Sequence, residues 1–343
     1  MVKGKSILAG VFTAVFVAAC GGGGDGGGGG DNTLGFGTPT GVTITTDNAE
    51  AVSAEVVGTV GMVEGANAGA GVLTGVAVST NGGGFNYADF SLAQLDRFAV
   101  LSEQALSSGV VGVVLAPPPE DCPNGGSVSI SGTIDDATGT TLSQGDTLTL
   151  VFNDCNIEGT VLTGGFDLTI EAIDPGFLLT TPPSAFNLTF GLVLDGLSVT
   201  EAGETFSSSG DMTLALSNDD AGNMAATISG TSLTATVAGE SKTLSNYTYV
   251  LTEDALGHYT INISGTLDST ILGGSVDFIT EVDFEGDGEG NPTVGQLHMN
   301  STFDASQARV IALSDGINVR IDVDTDGNDG YIQTFTTWDN LEL

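Results

Sequence analysis

Three groups of residues in this chain carry side chains that could do chemistry. The first is the acidic run Asp322-Val323-Asp324-Thr325-Asp326-Gly327-Asn328-Asp329. Carboxylates at alternate positions can fold round one hard cation such as Ca2+, and Gly327 permits the tight turn this needs. A full calcium loop ends on a bidentate glutamate at its twelfth position. Here that position is Gln333, so Asp329 would have to substitute, one residue short in spacing. The same run also reads as a Gly/Asp-rich hairpin turn between INVRIDV and GYIQTF. A second acidic turn, Asp283 to Glu289, matches the pattern less well.

The second group is the two histidines, His258 and His298. Both sit in strand-like stretches without HExxH spacing, which predicts satisfied strand residues rather than metal ligands. No G-x-S-x-G elbow, P-loop or dinucleotide fingerprint occurs. With 43 Asp and Glu in the chain, counting cannot single out a glycosidase-like pair. A carboxylate-based hydrolase is therefore the third choice among the functions considered, and the chain is expected not to be an enzyme.

The third group is the cysteines, Cys20, Cys122 and Cys155. Cys20 follows a short basic start (Lys3, Lys5) and an apolar stretch from Ile7 to Ala19. That stretch is shorter than the roughly 20 apolar residues needed to span a bilayer, and its flanks suit a signal peptide. Val17-Ala18-Ala19-Cys20 resembles the lipobox of bacterial lipoproteins. The resemblance implies cleavage after Ala19, a diacylglycerol on the Cys20 sulfur and acylation of its new amino group. Two or more acyl chains hold a membrane stably. Residue 21 is Gly rather than the Asp of the inner-membrane retention signal, which points to the outer membrane. Gly21 to Gly30 holds nine Gly and one Asp, a flexible tether with a reach of roughly 15–20 Å. In the oxidising compartment that export implies, Cys122 and Cys155 are expected to pair, stabilising the fold by roughly 3–4 kcal/mol. A metal-binding or catalytic cysteine pair would want a histidine nearby, and none is present.

Signal cleavage removes Lys3 and Lys5, leaving Arg97, Lys242, Arg309 and Arg320 against 43 acidic residues, a formal charge of −39. Such a chain lacks the cations that displace counterions from phosphates, so nucleic acid is excluded as a partner. Direct electrostatic docking onto anionic lipid is excluded on the same ground.

The elements that would position these residues are mostly strands. In FNLTFGLVLD, Phe186, Leu188, Phe190, Leu192 and Leu194 share one face and polar residues dominate the other, which is period 2. The pattern recurs at Leu148-Leu150-Phe152, Phe166-Leu168-Ile170, Met212-Leu214-Leu216, Tyr247-Tyr249-Leu251, Tyr259-Ile261-Ile263 and Ile317-Val319-Ile321-Val323. Turn signals such as DPG, SNDDAGN, EDALG and DTDGNDG separate the runs. Ile-Ser-Gly-Thr occurs at 130–133, 228–231 and 263–266, marking three similar strands whose glycines suit bulges or bends. Before Cys122 the chain differs. Residues 41–80 hold short apolar runs such as AEVVGTVGMV that read as short strands, and FSLAQLDRFAVLSEQALSSG reads as an amphipathic helix near 91–108. Aromatics make up only 6% and form no girdles, which argues against a membrane barrel.

The expected architecture is mainly β: a large antiparallel, curled sheet, sandwich or barrel-like, with that one helix. Four segments follow. Residues 1–19 are the signal, 20–40 the lipidated tether, 41–121 an N-terminal region with short strands and the helix, and 122–343 the antiparallel β domain. The chain resembles the β-rich lipoproteins of Gram-negative bacteria. That resemblance implies an outer-membrane protein anchored through lipid on Cys20, facing the periplasm or the cell surface, with a non-catalytic binding or structural role. Its partners would be the membrane, envelope proteins or a hydrophobic ligand. The alternative is a carrier or chaperone holding an acyl chain in a β groove.

Overall fold

The computed structural model describes residues 41–59 and 113–341, apart from 117, 135–141, 158, 177–182, 202, 238 and 289. Cys20, the tether and the helix expected near 91–108 lie outside the described residues.

The chain forms one antiparallel sheet of fifteen strands. Two short strands, β1 (Val113–Leu115) and β2 (Glu120–Asp121), lie along the same edge of β3 (Ser127–Ile134). Each later strand then pairs with the one before it. These are β4 (Thr147–Ile157), β5 (Thr160–Asp174), β6 (Phe186–Glu201), β7 (Glu204–Asn218), β8 (Met224–Val237), β9 (Glu240–Glu253), β10 (His258–Ser269), β11 (Gly274–Asp287), β12 (Val294–Ser301), β13 (Gln307–Ala312), β14 (Asn318–Asp324) and β15 (Ile332–Thr337). No ladder joins β15 back to the first strands, so the sheet is not closed into a barrel. The expected large antiparallel sheet is present, and the turn signals fall between its strands.

Alternation makes the sheet two-faced. Leu148, Leu188, Leu214, Leu244, Leu267 and Leu297 are at most 1% exposed and belong to one apolar cluster running from Val42 to Leu341. The opposite face carries short polar side chains that bond across strands, such as Thr234 to Thr243 and Thr252 to Thr260.

Register shifts interrupt ladders between β4 and β8 and between β9 and β12, and none occurs from β12 to β15. Each shift puts one extra residue, or two between β10 and β11, on one of the paired strands and bends it, so the curl belongs to the long middle strands. Gly210 shows why glycine is needed: its φ is +133°, and an added Cβ would lie 2.1 Å from the Ser232 carbonyl oxygen. Gly230, in the second Ile-Ser-Gly-Thr, leaves a notch for Tyr247, whose buried hydroxyl donates to the Asp211 carbonyl at 2.9 Å. Burial there pushes the Tyr247 phenol well above its usual range.

Residues 41–59 depart from the expectation of short strands. They contain a helix, α1 (Ala49–Val57). Asn48 shapes its approach, its Oδ1 accepting from the Thr45 amide at 2.8 Å and its Nδ2 donating to the Thr43 carbonyl. Ala49, Val52, Ser53, Val56 and Val57 are the buried residues, a spacing of i, i+3, i+4, i+7 and i+8. Packing of that stripe outweighs the β preference of its valines. The helix ties together distant strands. Glu55 meets Lys242 of β9 at 3.2 Å and accepts from Ser269 of β10, Glu50 accepts from Thr336 of β15, and Thr59 shares a hydrogen bond with Tyr249 of β9.

Candidate functional site

Ionisable side chains gather in three places among the described residues. The first is a polar patch on the face of β11–β15 opposite the apolar core. Antiparallel register sets His298 opposite Arg309, Arg309 opposite Asp322 and Asp322 opposite Gln333, with Gln307 opposite Asp324 in the next row. Directly opposed residues share a face and lie within reach of one another. His298 joins two acceptors, its Nδ1 3.0 Å from Glu281 Oε1 and its Nε2 2.6 Å from Gln307 Oε1. Gln307 Nε2 in turn donates to Asp324 Oδ2 at 2.9 Å, and Gln296 Nε2 donates to Glu281. Arg309 Nε stands 3.6 Å from Glu281 Oε2, and its guanidinium lies 4.6 Å from the Tyr331 ring centroid, within cation–π range. Arg320 grips the buried Asp322 through Nη2–Oδ2 at 3.0 Å and Nε–Oδ1 at 2.9 Å. The second contact is an ion pair without hydrogen-bond alignment.

The second place is the acidic turn between β14 and β15. Asp324 has no exposed surface. Its Oδ1 accepts from the amides of Asp326 at 3.1 Å and Gly327 at 3.0 Å, and its Oδ2 from Gln307 and from the Asp329 amide at 2.9 Å. The Gln307 amide, helped by these backbone donors, holds the Asp324 carboxyl far below the usual carboxylate range. A cation at this position would meet N–H groups where it needs lone pairs. The four aspartates proposed to hold Ca2+ therefore do not converge: Asp322 is paired with Arg320, Asp324 caps the turn, and Asp326 Oδ1 accepts from the Asn328 amide. Among the described residues, no three His, Cys, Asp or Glu side chains are grouped to hold a metal ion. The donor set does not fit calcium, and the hairpin-turn reading is the one that matches the geometry.

That use of aspartate repeats. Asp219, Asp254 and Asp315 each take two backbone amides on Oδ1 and the side chain of the following Asn223, His258 or Asn318 on Oδ2. The signal was present in the sequence. Asp219-Asp-Ala-Gly-Asn223 and Asp254-Ala-Leu-Gly-His258 lie as far apart as the second and third Ile-Ser-Gly-Thr. His258 Nδ1 is 2.8 Å from Asp254, and the Asp254 carboxylate raises the imidazole pKa above its ordinary value.

The third place is an open cleft of about 730 Å³ at the loop ends of β5–β9. Asp174, Phe186, Asn218, Met224 and Glu253 contribute to its wall, beside the Asp219 and Asp254 turns. Burial, with the nearby Asp254 charge adding to it, raises the Glu253 carboxyl. The Asn218 Oδ1 atom is buried without a hydrogen-bond partner. No local motif announces this cleft, because separate hairpins supply its walls.

Cys122 and Cys155 form the expected disulfide, with Cα atoms 5.4 Å apart, joining the segment after β2 to β4. Among the described residues no helix is long and apolar enough to cross a membrane. No known protein family, curated protein or solved structure matches the chain.

Proposed function

We propose that the chain is an outer-membrane lipoprotein, anchored through Cys20, whose acidic β body has a non-catalytic binding or structural role. The observation that carries the non-catalytic part is that the described cationic side chains of the body are each paired with a carboxylate of the same chain. Lys242, Arg309 and Arg320 each stand beside a carboxylate, and both histidines have acceptors. Glu281 meets His298, Arg309 and Gln296, which tie its carboxylate into the sheet's own polar network. The Cys122–Cys155 disulfide supports an oxidising compartment. The carrier alternative needs an open apolar groove, whereas the inward leucines are almost wholly buried.

Palmitate labelling of cells expressing the full chain, followed by membrane fractionation, tests the anchor. The label should enter the protein, float with the outer membrane and vanish with Cys20→Ala. An unlabelled chain, or one released in soluble form, overturns the reading. Native mass spectrometry without detergent then separates a bare polypeptide from one carrying a solvent-extractable lipid, which would favour the carrier.

A further inference from the structure

The last strand ends the sheet with an edge that no described strand covers. The Trp338 amide donates to the Ile317 carbonyl at 3.1 Å. In an antiparallel ladder, bonded and non-bonded pairs alternate. The register Ile321↔Thr334 and Val319↔Thr336 therefore turns the amides and carbonyls of Thr334 and Thr336 toward β14. Those of Gln333 and Phe335, with the Thr337 amide, point the other way, where no described residue pairs with them, while the Thr337 carbonyl opens the short 3-10 turn Trp338–Asn340. Two full rungs and a third amide are thus open on one side.

The chemistry of this edge differs from that of the opposite one. Natural sheets blunt their edges with charge, proline or covering segments. At the first edge, exposed Pro118 and Pro119 lead into the acidic β2. The last strand, Ile-Gln-Thr-Phe-Thr-Thr, has no charge and no proline, and it exposes Ile332 (53%) and Phe335 (65%). Its flanks are acidic: exposed Asp326 and Asp329 precede it, and exposed Asp315 and Asp339 lie at its far end. The two arginines on this part of the sheet are already held by Glu281 and Asp322.

We propose that β15 is a docking edge for an extended segment of another protein, uncharged where it pairs and basic at its ends. The backbone rungs would supply register-independent affinity, Phe335 an apolar contact, and the four aspartates the selection for basic flanks. A second copy of this chain is the wrong occupant. It carries the same excess of acid, −37 over the whole sequence. Pairing β15 with its own copy in antiparallel fashion would also bring Asp329 of one chain toward Asp339 of the other.

The test uses the full-length chain with the photo-crosslinker p-benzoylphenylalanine at position 333 or 337, irradiated in cells of the source organism. The expected result is one heterologous adduct, absent when the crosslinker sits at exposed position 171 on β5. Its mapped attachment should fall in an extended segment with Lys or Arg within a few residues. Phe335→Pro removes an outward N–H and no β14 bond, so it should abolish the adduct at 333. Gln333→Pro does the same for the adduct at 337 if the first variant melts early. Asp326→Lys with Asp339→Lys should lower adduct yield several-fold. In the isolated chain, the amides of 333, 335 and 337 should exchange with deuterium at least tenfold faster than those of 334 and 336. Adducts only with a second copy, no adduct above the position-171 control, attachment in a segment without basic flanks, or protected outward amides would each overturn the proposal.

Discussion

At the start of the sheet, the segment leaving β2 is joined to β4 by the Cys122–Cys155 disulfide. At its other end, the short strands β12–β15 have no covalent tie. They are held by Trp338, by α1 and by the polar patch on their outer face. Trp338 is fully buried, packs edge-on against Phe284 with centroids 5.8 Å apart and donates to the Pro292 carbonyl at 3.3 Å. A terminal strand has only one hydrogen-bonded neighbour, so both ends need a further restraint. One restraint acts mainly by limiting the unfolded chain and the other by burying area in the folded one. Among the described residues the difference shows in what each end presents: the first carries proline and acid, the last an uncharged strand with exposed Ile332 and Phe335.

Trp338→Ala should break the comparison most sharply. Removing a wholly buried indole costs about 3–5 kcal/mol, and hydrogen exchange should show protection lost from β12–β15 while β3–β5 keep theirs. Uniform loss of protection would mean that the two ends do not fail separately. Replacing both Cys122 and Cys155 with serine should cost about 3–4 kcal/mol in a denaturant titration, and reductant should produce the same shift in the natural chain. A cost under about 1 kcal/mol would show that the first end relies on packing as well.

Asp324→Ala comes next, because it leaves the Gln307 amide and three backbone amides without their acceptor. The melting temperature should fall, less than for Trp338→Ala, and Ca2+ or a chelator should leave the melting temperature of the natural chain unchanged. A calcium-dependent rise abolished by Asp324→Ala would restore the cation loop.

Acid should act at the last end as well. Asp304, bonded first by Ser306 and then by Thr43, has its carboxyl held down at about 2. A carboxyl depressed in the folded state binds fewer protons there than in the unfolded chain. Its stabilisation is therefore complete above the ordinary carboxylate value of about 3.9 and is lost as pH falls toward 2. Melting curves between pH 5 and pH 2 should fall less steeply in Asp304→Asn than in the natural chain. Equal slopes would remove Asp304 from the account.

The smallest effect belongs to His258, exposed at the start of β10. Its raised pKa means that the contribution is present below its unfolded value near 6.5 and lost as pH rises through the folded one. His258→Gln should flatten a slight loss of stability between about pH 6 and pH 8, read by melting temperature. A variant that keeps the full slope would place the titrating group elsewhere.

Much of the sheet is visible in local pattern. Phe186, Leu188 and Phe190 alternate with polar neighbours and are buried, and Asp-Gly turns sit where strands reverse. The stripe 49, 52, 53, 56, 57 was equally present, but its valines favour strands and obscured the helical spacing. The acidic run shows the limit on the site. Asp322, Asp324, Asp326 and Asp329 have the types and nearly the spacing for Ca2+, yet what they bond to depends on Arg320 and on Gln307 of a neighbouring strand.

The sequence alone therefore determined the two-faced strands, their turns and the pairing of its two internal cysteines, because period-2 alternation and turn chemistry act over a few residues. It also set the acidic balance, 43 Asp and Glu against 6 Lys and Arg. Tertiary structure alone decided that the sheet stays open, that α1 spans β9 to β15, that Glu281, His298 and Arg309 meet, and that no described strand pairs with the outer side of β15. Each depends on cross-strand neighbours and register shifts. Those are fixed by how the whole sheet curls to bury its apolar face, and no window of adjacent residues contains that information.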